Sequence, residues 1–115
     1  KVKRQWQASM GEYLEKRENL EGVIVVMDIR HPLKEFDCMM LDWAGHFQLP
    51  VHILLNKADK LKKNAANQTL FSVQRAIEEL GELVSAQLFS TPARIGLNEA
   101  QLKIAQWLKL DPKKI

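Results

Sequence analysis

The chain has 115 residues, of which 46% are hydrophobic and 27% charged, a composition typical of one globular domain or part of one. No run approaches about eighteen consecutive apolar residues, and the basic amino end is not followed by an apolar segment, so neither a transmembrane helix nor a secretory signal is expected. The net charge of +3 is mild, and the single cysteine, Cys38, can form no internal disulfide, which favours a reduced, cytoplasmic compartment.

Helical and strand patterns alternate along the first half of the chain. Apolar residues recur at three- and four-residue steps over residues 2–20, which predicts an amphipathic first helix. The apolar run Val23–Asp28 predicts a parallel strand covered on both faces. Apolar residues at helical spacing over residues 36–47 predict a second helix, and the run 51–55 predicts a second buried strand.

The second half continues this alternation. Apolar spacing predicts a third helix over residues 70–80, closed by Gly81, and a weaker third strand over residues 84–89. A fourth helix is predicted over residues 97–108, with Asn98 as its amino-terminal cap. Right-handed crossovers would place the three strands in parallel with helices on both faces, so the expected fold class is α/β with three layers.

A polar tetrapeptide, Asn56-Lys57-Ala58-Asp59, directly follows the second predicted strand. Ligands bind at the carboxyl ends of strands in open α/β sheets, so this loop lies where a nucleotide site would form. The Asp59 carboxylate can accept from the N1–H and the 2-amino group of guanine, whereas adenine would leave it unpaired. The Lys57 stem can lie along a base face, and Asn56 can contact the base edge. An ordinary polar turn is the alternative interpretation of the same residues.

The chain lacks the P-loop motif that binds the phosphates of a nucleotide. G-x-x-x-x-G-K-[ST] does not occur, so the base-recognition half of a site is present without the phosphate half. This chain alone is therefore not expected to hydrolyse GTP, and no catalytic residue is assigned. The three histidines and Cys38 show no metal-ligand spacing, so no metal site is predicted, and His52 is expected to be packed within its strand.

Longer segments carry a resemblance to one family of proteins. The chain closely resembles the bacterial EngB family (also called YihA or YsxC) in KRQW at 3–6, EYL at 12–14, VMDIRHPL at 26–33 and LNKADKL at 55–61. The resemblance covers essentially the whole chain. It implies that residues 1–115 form the carboxyl-terminal part of a single GTPase domain of the three-layer, Ras-like P-loop class, starting just past the second switch segment.

The resemblance also implies a function and a set of partners. These small GTPases are implicated in assembly of the large ribosomal subunit and in normal cell division and septation. Ribosomal RNA would then be a partner, contacted through basic clusters such as the lysines at 60, 62 and 63. The complete protein is expected to be a monomer that has no membrane span and does not bind DNA. Its ligands would be GTP and GDP, with Mg²⁺ bound by residues that this chain does not contain.

Carried onto the first loop, the resemblance makes Asp59 the acceptor for guanine N1–H and the 2-amino group. Lys57 would stack along the base, and Asn56 would contact the base edge and tie this loop to the absent P-loop. Asp28 and Arg30 end the first predicted strand at the same sheet edge. Their expected role is to fix the loop that follows, rather than to contact the nucleotide.

A second loop, Phe89-Ser90-Thr91, ends the third predicted strand. By resemblance it would form a turn that faces the guanine O6 and donates a backbone N–H to it. Because Pro92 has no N–H, only the Ser90 and Thr91 amides can serve.

Three hypotheses remain open at the level of sequence. The leading hypothesis is the guanine-nucleotide-binding part of a GTP-hydrolysing switch protein. The first alternative is a non-catalytic α/β interaction module without nucleotide binding, in which the tetrapeptide is only a turn. The second is an adenine-nucleotide protein of similar topology, which the donor pattern required by Asp59 argues against.

Overall fold

A computed structural model describes residues 21–108 of the chain, so the predicted helix over residues 2–20 lies outside the described residues. The described part is built on three strands, which are β1 (Val23–Asp28), β2 (Val51–Asn56) and β3 (Val84–Leu88). They form one parallel sheet in the order β1-β2-β3. The predicted parallel arrangement is therefore confirmed.

Three helices flank the sheet, namely α1 (Glu35–His46), α2 (Lys63–Ala76) and α3 (Leu97–Leu108). The start of α1 is fixed by the Lys34 N–H, which donates to the Asp37 carboxylate at 3.0 Å. Among the residues that the structure describes, no helix combines the length and the apolar character needed to cross a bilayer.

One face of the sheet forms the main hydrophobic core. Strand side chains alternate between faces, and the register aligns Val25, Ile53 and Ala86 in one row on this face. Helices α1 and α2 cover this face and contribute buried side chains to the same cluster. The fully enclosed members of the core include Met27, Ile29, Val51, Ile53, Leu55 and Val73.

The opposite face is more polar and is covered only in part. The register aligns Ile24 with His52 and Ser85, and Val26 with Leu54 and Gln87. The central strand β2 is buried on both faces, as its apolar run predicts. The same prediction is wrong for β1, because Val26 is 57% exposed. Within the described residues β1 pairs only with β2, so the apolar run of this edge strand lacks a covering layer there.

The boundaries of α2 differ from those predicted. The helix begins at Lys63 and ends at Ala76, and its predicted last turn is a separate 3₁₀ turn, Glu78–Leu80, followed by Gly81 with a φ of +84°. Polar residues fill most of the first two turns of α2, so the apolar periodicity that predicts the helix starts only at Leu70.

Strand β3 ends one residue earlier than predicted, and the helix that follows it has the predicted bounds but not the predicted cap. Strand β3 ends at Leu88, so Phe89 belongs to the following loop. Helix α3 begins at Leu97, so the predicted cap Asn98 lies inside its first turn instead of preceding it. The Gly96 carbonyl accepts the Ala100 N–H at 3.0 Å and marks the start of the helix.

Candidate nucleotide-binding site

The two predicted base-binding loops lie side by side at the carboxyl ends of β2 and β3. Parallel neighbours end at the same edge of a sheet, and two backbone bonds join the segments here. The Ala58 N–H donates to the Phe89 carbonyl at 3.1 Å, and the Phe89 N–H donates to the Leu55 carbonyl at 3.0 Å. The structure therefore brings Asn56-Lys57-Ala58-Asp59 together with Phe89-Ser90-Thr91, which are about thirty residues apart in sequence.

A side-chain bond links the two loops directly. The buried Ser90 hydroxyl donates to the Asp59 Oδ1 at 2.6 Å, while the Asp59 residue itself is exposed. This bond is the main reason that the pKa of Asp59 lies below its ordinary value. The Asp59 backbone amide and Lys60 also lower this pKa, whereas burial raises it by less than the Ser90 bond lowers it. Asp59 is consequently an ionised, acceptor-only group at neutral pH. A carboxylate has about four acceptor positions, so Asp59 can accept from an external donor while it is bonded to Ser90.

Lys57 lies at the tip of the first loop in a left-handed backbone conformation. Its φ is +63° and its ψ is +34°, a region that residues other than glycine seldom adopt. Such strain often accompanies ligand-binding loops, and here it turns the chain directly into the 3₁₀ turn Ala58–Lys60. The Lys57 side chain is 52% exposed, and its Nζ lies 3.6 Å from the Asp28 Oδ2.

Asp28 connects the end of β1 to this loop. Its Oδ1 accepts from the Arg30 backbone N–H at 2.9 Å and from the Arg30 Nε at 3.0 Å. Its Oδ2 accepts from the Arg30 Nη2 at 2.8 Å. The Arg30 guanidinium is the largest influence holding the pKa of Asp28 well below its usual range, and Lys57 acts in the same direction. Asp28 thus fixes the loop after β1, as predicted. It also contacts Lys57, which was not predicted, because the only signal in the sequence is the D-x-R spacing at a strand end.

The second loop closes on itself through a pair of backbone bonds. The Ser90 N–H donates to the Ile95 carbonyl at 3.0 Å, and the Ile95 N–H donates to the Ser90 carbonyl at 2.9 Å. The prediction that the Ser90 amide can face a base is therefore wrong, because that amide is already bonded within the loop. With Pro92 lacking an N–H, the Thr91 amide is the donor that this turn can offer.

The described residues do not fit a metal site. Among them, no group of three or more His, Cys, Asp or Glu side chains is placed to hold a metal ion. Asp59, in the first loop, is bonded by Ser90, and Asp28, at the end of β1, is bonded by Arg30. The described part of this sheet edge therefore offers hydrogen-bond acceptors and donors for a base, and not a ligand set for Mg²⁺.

Comparison with curated proteins identifies close relatives by sequence. The chain is 48% identical over 111 residues to the probable GTP-binding protein EngB of Coxiella burnetii strain CbuG_Q212, and 47% identical over 111 residues to that of strain RSA 493. Each match covers 96% of this chain and 54% of the relative. The chain thus spans about half the length of the curated relatives it matches. The predicted resemblance to the EngB family is confirmed, although no family model matches the chain.

Comparison with solved structures identifies the same fold class. The translation elongation factor SelB from Methanococcus maripaludis superimposes with a TM-score of 0.72 in its apo form, at 15% identity, over 89% of this chain and 23% of SelB. Its complex with the GTP analogue GPPNHP gives a TM-score of 0.69 at 17% identity, over 90% of this chain and 23% of SelB. The parallel sheet with flanking helices and these neighbours confirm the predicted GTPase-like α/β fold.

Proposed function

We propose that this chain, which is homologous over 96% of its length to GTP-binding proteins named EngB, forms the guanine-recognising part of a single GTPase domain. The complete protein hydrolyses GTP, and this chain supplies the loops that select the base. The observation that carries the proposal is the 2.6 Å hydrogen bond from Ser90 to Asp59, which joins the two predicted base-binding loops at one sheet edge.

The proposed recognition follows from the hydrogen-bonding groups at this edge. Asp59 accepts from guanine N1–H and the 2-amino group, and its orientation is held by Ser90. The Thr91 amide donates to the guanine O6, and the Lys57 stem lies along one face of the base. Adenine presents an acceptor at N1, which would face the Asp59 carboxylate, and a donor at C6, which would face the Thr91 amide. Two such mismatches discriminate strongly against adenine.

Other parts of the complete protein would supply the remaining components of the site. The relatives are about twice the length of the matched region, since the match covers 54% of each. The phosphate-binding loop, the Mg²⁺ ligands and the switch segments belong, on this proposal, to sequence outside the 115 residues. Hydrolysis is therefore a property of the complete protein, which we propose to be monomeric and cytoplasmic.

The test is a titration of the complete protein with fluorescent GDP, followed by competition with unlabelled GTP and with ADP. Saturable binding that GTP displaces and ADP does not is the expected result. The control variant is Asp42→Asn, which removes one exposed carboxylate from α1 and touches neither loop. It is expected to bind GDP as the wild type does. Displacement by ADP as readily as by GTP, or no binding at all, would reject the guanine site and leave the interaction module as the better description.

We further propose that the complete protein acts in assembly of the large ribosomal subunit, as the family resemblance implies, and that its depletion impairs septation. Lys60, Lys62 and Lys63 are exposed beside the first loop and can contact RNA phosphates. Co-sedimentation of the GTP-analogue-bound protein with large subunits at rising salt tests this. Replacing the three lysines by glutamine is expected to weaken binding and to reduce the salt dependence by roughly one counterion per lost contact. Unchanged co-sedimentation would exclude these lysines from the interface.

A further inference from the structure

A buried polar network crosses the partly covered face of the sheet beneath the second loop. His52 and Gln87 are 3% and 1% exposed, although both are polar. His52 Nδ1 lies 2.6 Å from the Ser85 Oγ, and His52 Nε2 lies 2.6 Å from the Gln87 Oε1. Gln87 Nε2 donates to the Leu88 carbonyl at 3.0 Å and to the Gly96 carbonyl at 2.8 Å. Most buried polar side chains in proteins are hydrogen-bonded, and both of these side chains are.

The backbone carbonyls determine the orientation of every group in this network. Because both carbonyls can only accept, they must face the amide NH₂ of Gln87, so its Oε1 points to His52. That oxygen can only accept in turn, so His52 carries its proton on Nε2. The Ser85 hydroxyl then donates a hydrogen bond to the lone pair of His52 Nδ1. Burial is the main reason that the pKa of His52 lies below its ordinary value, with Lys103 acting in the same direction and Gln87 and Glu99 opposing, so the ring is neutral at pH 7.

The two carbonyls that accept from Gln87 lie at the two ends of the connection between β3 and α3, which contains the second loop. Leu88 is the last residue of β3, and Gly96 immediately precedes α3. The loop between them contains the Ser90–Ile95 backbone pair and the hydroxyl that binds Asp59. The fit is tight, since a Cβ on Gly96, whose φ is +75°, would collide with the Leu88 carbonyl oxygen and with the Gln87 amide nitrogen.

We propose that Gln87, oriented by His52, is a positioning residue that clamps both ends of the second loop and so places Ser90 and Thr91 for contact with the guanine base. The inference rests on the proposed function for the ligand, but the clamp itself is a property of the protein without nucleotide. Gln87 touches no base in this scheme. It acts through the backbone of the loop.

The first test uses the unmodified complete protein without nucleotide. ¹⁵N chemical shifts of the His52 ring distinguish the two neutral tautomers, and the Nε2–H form is expected near pH 7.5. Observation of the Nδ1–H form would overturn the proposal, because the Gln87 oxygen would then face the two carbonyls and could not hold them. This measurement depends neither on a variant that folds nor on nucleotide binding.

The second test compares Gln87→Met with Ser85→Ala in the complete protein. Met has nearly the same shape as Gln but no amide, whereas Ser85→Ala removes the far end of the network and leaves the clamp in place. For Gln87→Met we expect the Ser90 and Ile95 amides to exchange with solvent at least tenfold faster, while the amides of β2 keep their rates. A general loss of stability would accelerate all of them together. Ser85→Ala is expected to change these rates by less than about twofold.

Measuring GDP affinity on the same proteins distinguishes a failure of the Gln87 clamp from a failure of the proposed guanine-binding function. Gln87→Met is expected to raise the Kd for GDP about tenfold, equivalent to about 1.4 kcal/mol of binding free energy. Faster loop exchange in a protein that never binds GDP would support the clamp and reject the proposed function. If the wild type binds GDP, and Gln87→Met changes neither loop exchange nor affinity, the proposed function is supported and the clamp is rejected.

Discussion

Replacing Gly96 by alanine should be among the most damaging single-methyl changes in the described part of the chain. An L-residue other than glycine at a φ of +75° costs about 1–2 kcal/mol in backbone strain. The added Cβ would also collide with the Leu88 carbonyl oxygen, which is part of β3 and cannot move freely, and overpacking of this kind costs about 1–3 kcal/mol. The expected loss is therefore about 2–5 kcal/mol, a large share of the roughly 5–15 kcal/mol that stabilises a typical domain.

Two other glycines provide matched controls in a urea-unfolding series on the complete protein. Gly81 also has a positive φ, +84°, but a Cβ added there would have no neighbour within 4 Å among the described residues, so Gly81→Ala carries the backbone cost without the collision. Gly45 lies exposed in α1 with similarly open space, so Gly45→Ala is expected to stabilise by about 0.5–1 kcal/mol. Gly96→Ala should be the least stable of the three. Stability equal to that of the wild type would refute the close approach of Gly96 to Leu88.

Three further outcomes test the site and the buried network. Asp59→Asn is expected to lose affinity for GDP and to gain affinity for xanthosine diphosphate, because its amide can donate to the 2-oxo group; unchanged GDP binding would contradict the site. Asp28→Asn should weaken GDP binding a few-fold by releasing Lys57, whereas Asp42→Asn should not, and equal effects would show that only net charge matters. The depressed pKa of His52 means that the unfolded chain takes up its proton first, so this contribution to stability is full above about pH 6.5 and is lost as the pH falls toward the folded pKa. His52→Gln should flatten that part of the urea-midpoint profile between pH 7.5 and 5, and an unaltered slope would assign it to other groups.

The fold was predictable where hydrophobic patterns are strong. The continuous apolar runs of β1 and β2 and the periodic apolar face of α1 identify these elements directly. The first turns of α2 were missed because helical stability there comes from residues such as Ala66 that pack against the core within an otherwise polar stretch. The exposure of Val26 could not be anticipated, since an apolar run shows that a strand prefers burial but not which segment covers it.

The candidate site was predictable as two loops but not as a set of contacts. Residue types and positions after the strands identify Asp59 and Ser90, and parallel pairing of β2 with β3 brings them together. The contact between Asp28 and Lys57 depends on loop geometry that spacing does not encode. The contacts of Gln87 with His52 and with the Gly96 carbonyl depend on the strand register and on the return of the chain at Gly96, which the sequence pattern does not encode.

The side of β1 that pairs with no strand among the described residues sets how a further strand would be positioned against the two predicted base-binding loops. Within the described residues, β1 is hydrogen-bonded on one side only, to β2, in a register that ends with Asp28 opposite Asn56. A strand added in parallel along the other side would lie one interstrand spacing, about 4.8 Å, from β1 and two from β2. Its carboxyl end would then lie beside Asp28. The distance between a phosphate group bound there and a base bound at Asp59 would be set by the spacing of the hydrogen-bonded strands. If the proposed function is right, one continuous sheet would set the distance between the base site and the phosphate site of a nucleotide.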